Sequence, residues 1–240
     1  MRNILVTGGS RGIGLAIVKR LADAGYGVIA VARKPSEELE SLIAASGGTV
    51  HFRALDMNDI AGFPDFLRDV RKDIGPVYGL VNNAGIGTEG VLATMYEKQI
   101  SELLRVNVEA PIVLSKYLVR HMMSAGEGRI VNMGSIIGST GYNALSVYGA
   151  TKAALEGFSR SLAREVGKLG ITVNVVAPGF IATELTKGLD EENTARIAKR
   201  SALRRLPETD DIARMVEFLM GEGGRNITGT VLTVDAGNTA

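Results

Sequence analysis

The sequence predicts a single α/β domain, a doubly wound sheet of seven parallel strands with helices on both faces. Short runs of β-branched residues alternate along the chain with longer segments of helical periodicity, a pattern typical of βαβ units. Four of these runs carry few or no charges, as strands do when helices cover both faces of a sheet. No linker, repeat or change in composition divides the 240 residues, so we assign 1–240 to one domain.

The strands and helices follow from these two periodicities. Strands are predicted at 4–7, 27–31, 50–54, 78–81, 129–133, 171–176 and 230–234. Helices, several of them beginning after an Asn, Asp or Ser that can cap the first turn, are predicted at 13–24, 36–45, 58–73, 97–106, 111–124, 146–168 and 209–220. Right-handed crossovers then place ligands outside the carboxyl ends of the strands.

Composition argues against several classes of protein. The 27 Lys and Arg residues nearly balance the 26 Asp and Glu residues, so no overall field attracts nucleic acid or an anionic membrane. Without cysteine there are no disulfides, thiolate metal sites or cysteine nucleophile, and His51 and His121 lack partners at metal-ligand spacing. The longest charge-free stretch, 130–151, is too rich in Gly, Ser and Asn to span a membrane. We therefore expect a cytoplasmic protein without a metal site.

A glycine-rich turn, TGGSRGIG at 7–14, follows the first predicted strand and opens the first predicted helix. Gly8 permits a tight turn, Gly12 leaves the backbone open to a pyrophosphate, and Gly14 lets the helix pack closely on the strand. The N-terminus of the helix faces the anion. This context predicts a dinucleotide site of the Rossmann type, with a plain flexible loop as the alternative.

The end of the second strand indicates which nicotinamide cofactor binds. An acid at this position holds the ribose 2′-hydroxyl of NAD, but here 31–34 reads VARK and no acid occurs before Glu37. Arg33 and Arg11 can instead converge on a 2′-phosphate through charge-assisted hydrogen bonds. The sequence therefore predicts NADP(H), unless Arg33 is only a solvated loop charge.

Polar and small residues also follow the third and fourth strands. Asp56 is positioned to bond the adenine amino group, and Asn83, Ala84 and Gly85 lie beside the cofactor. Ordinary turn chemistry is the alternative interpretation of both groups.

Candidate catalytic residues lie in and beside the charge-free stretch. Tyr148 and Lys152 are one helical turn apart and share a face, so the ammonium favours the phenolate form of the tyrosine. Ser135 follows the fifth strand, at the edge where the nucleotide binds, and can donate a hydrogen bond to a carbonyl oxygen. Together they predict acid/base chemistry on a carbonyl. A Tyr-x-x-x-Lys pair alone is more often a chance pair on the exposed face of a helix.

Five motifs occur in the order and spacing of one family. They are the glycine-rich turn, Asn82-Asn83-Ala84-Gly85, Asn107 with Ser135, Tyr148-x-x-x-Lys152, and Pro178-Gly179. Through them the chain resembles the short-chain dehydrogenase/reductase family over essentially its whole length. Within this family it is similar to the 3-oxoacyl-acyl-carrier-protein reductases, through GSIIG at 134–138, SLARE at 161–165 and ITVNVVAPGF at 171–180.

The resemblance implies roles for these residues. Tyr148 is the general acid in reduction, Ser135 positions the carbonyl, and Lys152 bonds the nicotinamide ribose. Asn107 holds a water that relays protons to solvent, and Thr183 contacts the carboxamide. NADP(H) is expected to contact Gly8, Ser10, Arg11, Gly12, Ile13, Gly14, Arg33, Asp56, Asn83, Ala84, Gly85, Tyr148, Lys152, Pro178, Gly179, Ile181 and Thr183.

The same resemblance implies a substrate lid at about 184–207 and a homotetramer. The lid carries basic residues that can meet the phosphate of a thioester arm or an acidic acyl carrier protein: Arg196, Lys199, Arg200, Arg204 and Arg205. A solvated helix face is the alternative. The chain departs from the carrier-protein reductases at Gly126, Glu127 and Leu169, where those proteins often have basic residues, and at 235–237, where DAG replaces DGG.

Three functions are compatible with these residues. The leading hypothesis is NADPH-dependent reduction of a 3-oxoacyl thioester. The second keeps the chemistry but acts on a free ketone or a secondary alcohol. The third is a non-catalytic NADP-sensing protein. We expect such a protein to have lost at least one of Ser135, Tyr148 and Lys152, and this sequence has all three.

Overall fold

The computed structural model describes residues 1–88, 90–181 and 191–240, with side chains from 194 onward in the last range. One sheet of seven strands has the order β3-β2-β1-β4-β5-β6-β7, and every neighbouring pair is parallel. The strands are β1 Asn3–Thr7, β2 Gly27–Ala32, β3 Val50–Ala54, β4 Val77–Asn82, β5 Gly128–Met133, β6 Ile171–Pro178 and β7 Val231–Val234. The predicted fold class is confirmed.

Helices cover both faces of this sheet. In the described residues they are α1 Gly12–Asp23, α2 Glu37–Ala45, α3 Phe63–Asp73, α4 Glu97–Leu104, α5 Ala110–Ala125, α6 Ser146–Val166, α7 Glu191–Arg200 and α8 Thr209–Met220. Apolar side chains of α1, α2 and α8 pack on one face, and those of α3, α5 and α6 pack on the other. The strands supply both cores, which explains their nearly continuous burial.

The strand order reverses between β1 and β4. From β1 the chain winds outward to β3, returns to β4 and then winds the other way. A crevice forms where such a sheet reverses direction, outside the carboxyl ends of β1 and β4. The glycine-rich turn after β1 and the Asn-Asn-Ala-Gly segment after β4 both lie at this crevice.

Three helix predictions differ from the structure. The helix predicted at 58–73 begins only at Phe63, after a 3₁₀ turn, Ile60–Gly62, capped by Asp59. The helices predicted at 97–106 and 111–124 are joined by a π-helical segment, Arg105–Glu109, because Pro111 lies in the first turn of α5 rather than breaking the helix. Helix α7 was not among the predicted helices. No helix of the described residues is long and apolar enough to cross a membrane.

Candidate active site

The glycine-rich turn adopts the geometry that its sequence predicts. Gly8 and Gly12 have φ values of 66° and 54°, in the left-handed region that favours glycine. A methyl group on Gly14 would overlap the carbonyl oxygen of Gly8 and would lie 2.6 Å from Asn83 Nδ2. The turn and α1 are therefore packed as closely as the backbone allows, which leaves the start of α1 bare for an anion.

Thr7 and Asn83 join the turn to the segment after β4. Thr7 Oγ1 accepts hydrogen bonds from the backbone N–H groups of Asn83 and Ala84, each at 3.0 Å. Asn83 Nδ2 donates to the carbonyls of Thr7 and Gly8 at 2.9 and 3.2 Å. These bonds fix both walls of the crevice, so Asn83 shapes the site rather than offering its amide nitrogen to a ligand. Thr7 is not among the site residues predicted from the sequence. Its position at the end of β1, directly before the glycines, is the signal that could have identified it.

The charged groups around this turn suit a phosphate. Helix α1 has no acidic residue in its first turn, and Arg11 occupies its N-cap position. Arg33 is exposed, and it makes no hydrogen bond or ion pair with any residue that the structure describes. An open glycine cradle, a helix N-terminus and two arginines fit a dinucleotide that carries a 2′-phosphate.

Asp56 is exposed and takes part in a local turn. Its Oδ1 accepts hydrogen bonds from the backbone N–H of Asn58 at 2.9 Å and from Asn58 Nδ2 at 3.3 Å. The turn chemistry that was the alternative interpretation is therefore present. A contact between Asp56 and adenine stays a prediction.

Tyr148 lies in the first turn of α6, and Lys152 follows one turn later on the same helix. Lys152 is only 6% exposed, and its Nζ lies 5.6 Å from the centre of the Tyr148 ring. The Tyr148 hydroxyl has no hydrogen-bond partner among the described residues, and the side chain is half-buried. Both the ammonium and the N-terminus of a helix stabilise negative charge on a phenolic oxygen.

Ser135 lies at the carboxyl end of β5, two residues after Met133. Its Oγ accepts a hydrogen bond from the backbone N–H of Ile137 at 3.2 Å, which leaves the hydroxyl proton without an acceptor in the described part of the chain. Lys152 Nζ donates to the Met133 carbonyl at 2.9 Å, so the ammonium is held at the same strand end. The role of this carbonyl was not predicted, since sequence does not reveal backbone contacts.

Two glycines allow α6 to approach the segment that carries Ser135. A Cβ on Gly149 would lie 3.0 Å from the carbonyl oxygen of Ile137, and a Cβ on Gly138 would lie 3.2 Å from the backbone nitrogen of Ala153. Larger residues would push the helix away from the strand end. The close packing thus sets the start of α6 against the segment that follows β5.

Asn107 lies in the π-helical segment between α4 and α5 and is 1% exposed. Its Oδ1 accepts from the Ile86 N–H at 2.9 Å, and its Nδ2 donates to the Ile86 carbonyl at 2.9 Å and to Thr151 Oγ1 at 3.2 Å. The amide therefore pins the segment after β4 to α6. A Cβ on Gly85 would lie 3.3 Å from Asn107 Oδ1 and 3.6 Å from Lys152 Nζ, so glycine keeps the space between them open.

Strand β6 ends at Pro178, and Gly179 follows it and lies against Asp235. A Cβ on Gly179 would lie 2.7 Å from Asp235 Cβ, and the Gly179 N–H donates to the carbonyl of Val234 at 3.0 Å. Burial would raise the pKa of Asp235, but the hydrogen bonds from Thr239 and from the backbone N–H of Gly237 outweigh burial and hold this pKa below its usual range. The two residues are thus set rigidly at the carboxyl edge of the sheet.

The remaining predicted contacts lie around the proposed lid. Ile181 is buried, whereas Thr183 lies outside the described residues, as does the first part of the segment 184–207. The exposed residues of the described part include the basic set Arg196, Lys199, Arg200, Arg204 and Arg205. Lys199 and Arg204 are joined through a hydrogen bond of 2.9 Å from Arg204 Nη1 to the Lys199 carbonyl.

A chain of buried polar groups supports the site from beneath. Asn82 Nδ2 donates to Asn132 Oδ1 at 2.7 Å and to Ser115 Oγ at 3.1 Å. Asn132 Nδ2 in turn donates to Ser159 Oγ at 2.8 Å. These bonds connect β4, β5, α5 and α6 directly below the residues discussed above, and a buried polar network of this kind fixes a unique packing.

The chain is similar to known proteins over most of its length. A family model described as short chain dehydrogenase matches residues 2–194. The 3-oxoacyl-acyl-carrier-protein reductase FabG of Haemophilus influenzae is 41% identical over 235 residues, which are 97% of this chain and 96% of the relative.

Solved structures match the fold over the full length. A gluconate 5-dehydrogenase from Burkholderia cenocepacia, in complex with NADP and tartrate, has a TM-score of 0.94 at 28% identity and covers 99% of this chain and 95% of its own. A blue fluorescent protein from a metagenomic library, in complex with NADPH, has a TM-score of 0.92 at 36% identity and covers 100% of this chain and 98% of its own.

Proposed function

The chain belongs to the short-chain dehydrogenase family and is an oxidoreductase that acts on CH–OH groups, and from that premise we propose that it reduces a 3-oxoacyl thioester with NADPH. The observation that carries this proposal is the position of the Lys152 ammonium, which bonds to Met133 at the carboxyl end of β5, two residues before Ser135, and lies 5.6 Å from the centre of the Tyr148 ring. In the described part of the chain, the hydroxyl proton of Ser135 has no acceptor and the Tyr148 hydroxyl has no hydrogen-bond partner. Lys152 supplies a buried ammonium beside Tyr148.

The three side chains divide the chemistry of carbonyl reduction. Bound NADPH supplies a hydride to the carbonyl carbon. The Ser135 hydroxyl donates a hydrogen bond to the carbonyl oxygen and holds it near Tyr148. Tyr148 gives its proton to that oxygen, so the product is an alcohol and the tyrosine becomes a phenolate. Lys152 and the N-terminus of α6 stabilise this phenolate.

The phenolate must recover a proton from solvent. The space at Gly85 separates Asn107 Oδ1 from Lys152 Nζ and is bounded by both polar groups. Lys152 gives up a proton to the phenolate, and we assign to this space the water that then reprotonates Lys152. Replacing Gly85 with a larger residue would fill it.

Arg11 and Arg33 support NADPH over NADH. An arginine pair matches the charge of a 2′-phosphate, whereas the acid that would hold a ribose diol is missing. Two solved relatives contain NADP or NADPH. The adenine contact of Asp56 and the cofactor contacts at Pro178, Gly179, Ile181 and Thr183 complete the proposed site.

A thioester substrate is supported by the curated relative and by the basic residues of the proposed lid. The 41% identical relative is a 3-oxoacyl-acyl-carrier-protein reductase. The surplus of basic residues at 196–205 can meet the phosphate of a phosphopantetheine arm. Docking of an acyl carrier protein, a homotetramer and a cytoplasmic location stay predictions.

A second candidate substrate is a free ketone or secondary alcohol. It is favoured by the position before β5, where Glu127 stands in place of a base and pairs with Arg2 at 2.7 Å. A structural relative with a different printed substrate, gluconate, shares the whole fold.

A substrate panel distinguishes the candidates. The purified protein is assayed with acetoacetyl-coenzyme A and with small free ketones, each with NADPH and with NADH. We expect the highest kcat/KM for the thioester with NADPH. Higher kcat/KM for a free ketone would replace the thioester proposal with the second candidate. Tight NADPH binding without oxidation of NADPH by any carbonyl compound would favour a non-catalytic NADP-binding protein.

A further inference from the structure

Ser36 makes a contact that joins two loops of the nucleotide end. Its hydroxyl donates a hydrogen bond of 2.5 Å to the backbone carbonyl of Ser10, 26 residues earlier in the chain. The same oxygen accepts a hydrogen bond of 3.2 Å from the N–H of Leu39 and so caps α2. The Ser36 hydroxyl therefore caps the first turn of α2 and also bonds that turn to the backbone of the glycine-rich turn.

The two loops that Ser36 joins each carry one of the arginines. Arg11 follows Ser10 directly, and Arg33 lies three residues before Ser36. Both loops are also anchored to the sheet or the core close to these arginines. The Gly9 N–H donates to the Val31 carbonyl at 3.1 Å, and Leu39, which Ser36 caps, is fully buried in the core. Only the short piece 32–35 lies between the anchor at Val31 and Ser36, so the Ser36 contact restricts where Arg33 can be relative to Arg11.

The local charges make this restriction important. Glu37, Glu38 and Glu40 occupy the first turn of α2. A dianionic phosphate next to Arg33 would be repelled by these carboxylates if the loop moved toward them. The arginines must therefore be held on the side of the glycine-rich turn for a 2′-phosphate to bind.

We propose that Ser36 is a positioning residue for the 2′-phosphate, and that its bond to the Ser10 carbonyl sets the preference for NADPH over NADH. The inference rests on the proposed NADP binding. Ser36 acts through the two loops and need not touch the cofactor. The preference then depends on a hydroxyl outside the glycine motif and outside the basic residues that carry the charge.

The test measures binding rather than turnover. Dissociation constants of NADPH, NADH, adenosine 2′,5′-bisphosphate and AMP are measured by titration calorimetry for the wild type and for Ser36→Ala, Ser36→Gly and Ser36→Thr. Glycine is tolerated at an N-cap but has no hydroxyl, and threonine keeps the hydroxyl. Ser41→Ala is the matched control, because Ser41 donates a similar bond of 2.9 Å to a carbonyl on the same helix, away from the turn.

We expect Ser36→Ala and Ser36→Gly to lower the preference for each 2′-phosphorylated ligand over its partner by about fivefold, the usual worth of one hydrogen bond. Ser36→Thr and Ser41→Ala should keep the wild-type preference. An unchanged preference in the Ala and Gly variants, or an equal loss for both ligands of a pair, would overturn the inference. A wild type that does not favour NADPH would instead remove the proposed cofactor, and with it the role of Ser36.

Discussion

Lys152 donates a hydrogen bond from Nζ to the backbone carbonyl of Met133 at 2.9 Å, at the end of the strand that leads to Ser135. This bond ties helix α6 to the carboxyl end of β5. The same ammonium lies 5.6 Å from the centre of the Tyr148 ring. This bond uses one of the three donors of the ammonium, so two remain for a cofactor ribose and a water.

Replacing Lys152 with Met removes both the tie to Met133 and the charge to which we assign stabilisation of the Tyr148 phenolate. We expect kcat for ketone reduction to fall by about 100-fold or more, with weaker NADPH binding. Steady-state kinetics and fluorescence titration measure the two effects. Lys72→Met, on the exposed face of α3, is the control and should keep both values. Normal turnover in Lys152→Met would contradict the role of the ammonium.

Arg33→Asp tests the choice of cofactor. The substitution removes the charge-assisted hydrogen bond that we propose between Arg33 and the 2′-phosphate, worth about 1.5–3 kcal/mol, and adds an acid that can hold a ribose diol. We expect KM for NADPH to rise at least about tenfold and KM for NADH to fall. Arg225→Asp, which changes the charge at a surface pair with Glu222, should alter neither. An unchanged ratio of the two constants would show that Arg33 is a solvated loop charge.

Gly14→Ala should abolish cofactor binding, because its methyl group would overlap the Gly8 carbonyl and crowd Asn83. The Gly8 carbonyl and the Asn83 amide cannot move aside without a large cost in packing energy, so the turn must open. Gly157→Ala is the matched control: this helical glycine of α6 has open space around it, and alanine there should raise stability by about 0.5–1 kcal/mol. Calorimetric titration with NADPH and thermal unfolding give both results. NADPH binding by Gly14→Ala at the wild-type Kd would mean that the turn does not form the cradle.

Ala236→Gly should stabilise the protein. Ala236 has a φ of 56°, in the left-handed region where an L side chain costs about 1–2 kcal/mol. Glycine relieves this strain, and the relief outweighs the roughly 0.4–1 kcal/mol by which the greater entropy of the unfolded chain favours unfolding. We expect a Tm higher by about 1–3 °C. Ala44→Gly, in the exposed part of α2, should lower Tm instead. A lower Tm for Ala236→Gly would show that the strain at this φ is smaller than the entropic cost of glycine in the unfolded chain.

Much of the fold could be predicted from the sequence because buried parallel strands are nearly free of charges. The run 27–31 and the run 171–176 were recognisable for that reason, and both are strands in the structure. The π-helical segment Arg105–Glu109 could not be predicted, since it depends on how the Asn107 amide meets Ile86 and Thr151 across the fold. Helix α7 was missed because its sequence, Glu191–Arg200, is mostly charged and polar, with Ile197 as its one large apolar residue.

The site divides in a similar way. Ser135, Tyr148 and Lys152 could be predicted as catalytic candidates because their spacing and the charge-free stretch are visible in the sequence. Ser36 and the carbonyl of Met133 could not, because both act through backbone groups far away in sequence. The sequence predicts Asn83 beside the cofactor, and the structure shows that its amide bonds to the backbone of Thr7 and Gly8, while the contact with the cofactor stays a prediction.

The most direct test of the catalytic assignment is the turnover of Tyr148→Phe, measured as NADPH oxidation with acetoacetyl-coenzyme A alongside the wild type and Tyr142→Phe. Removing the hydroxyl leaves the ring, the helix and the cofactor crevice in place but removes the proton donor. We predict a loss in kcat of about 10²–10⁴-fold with an unchanged Kd for NADPH, and near-normal turnover for Tyr142→Phe. Near-normal turnover of Tyr148→Phe would contradict the account.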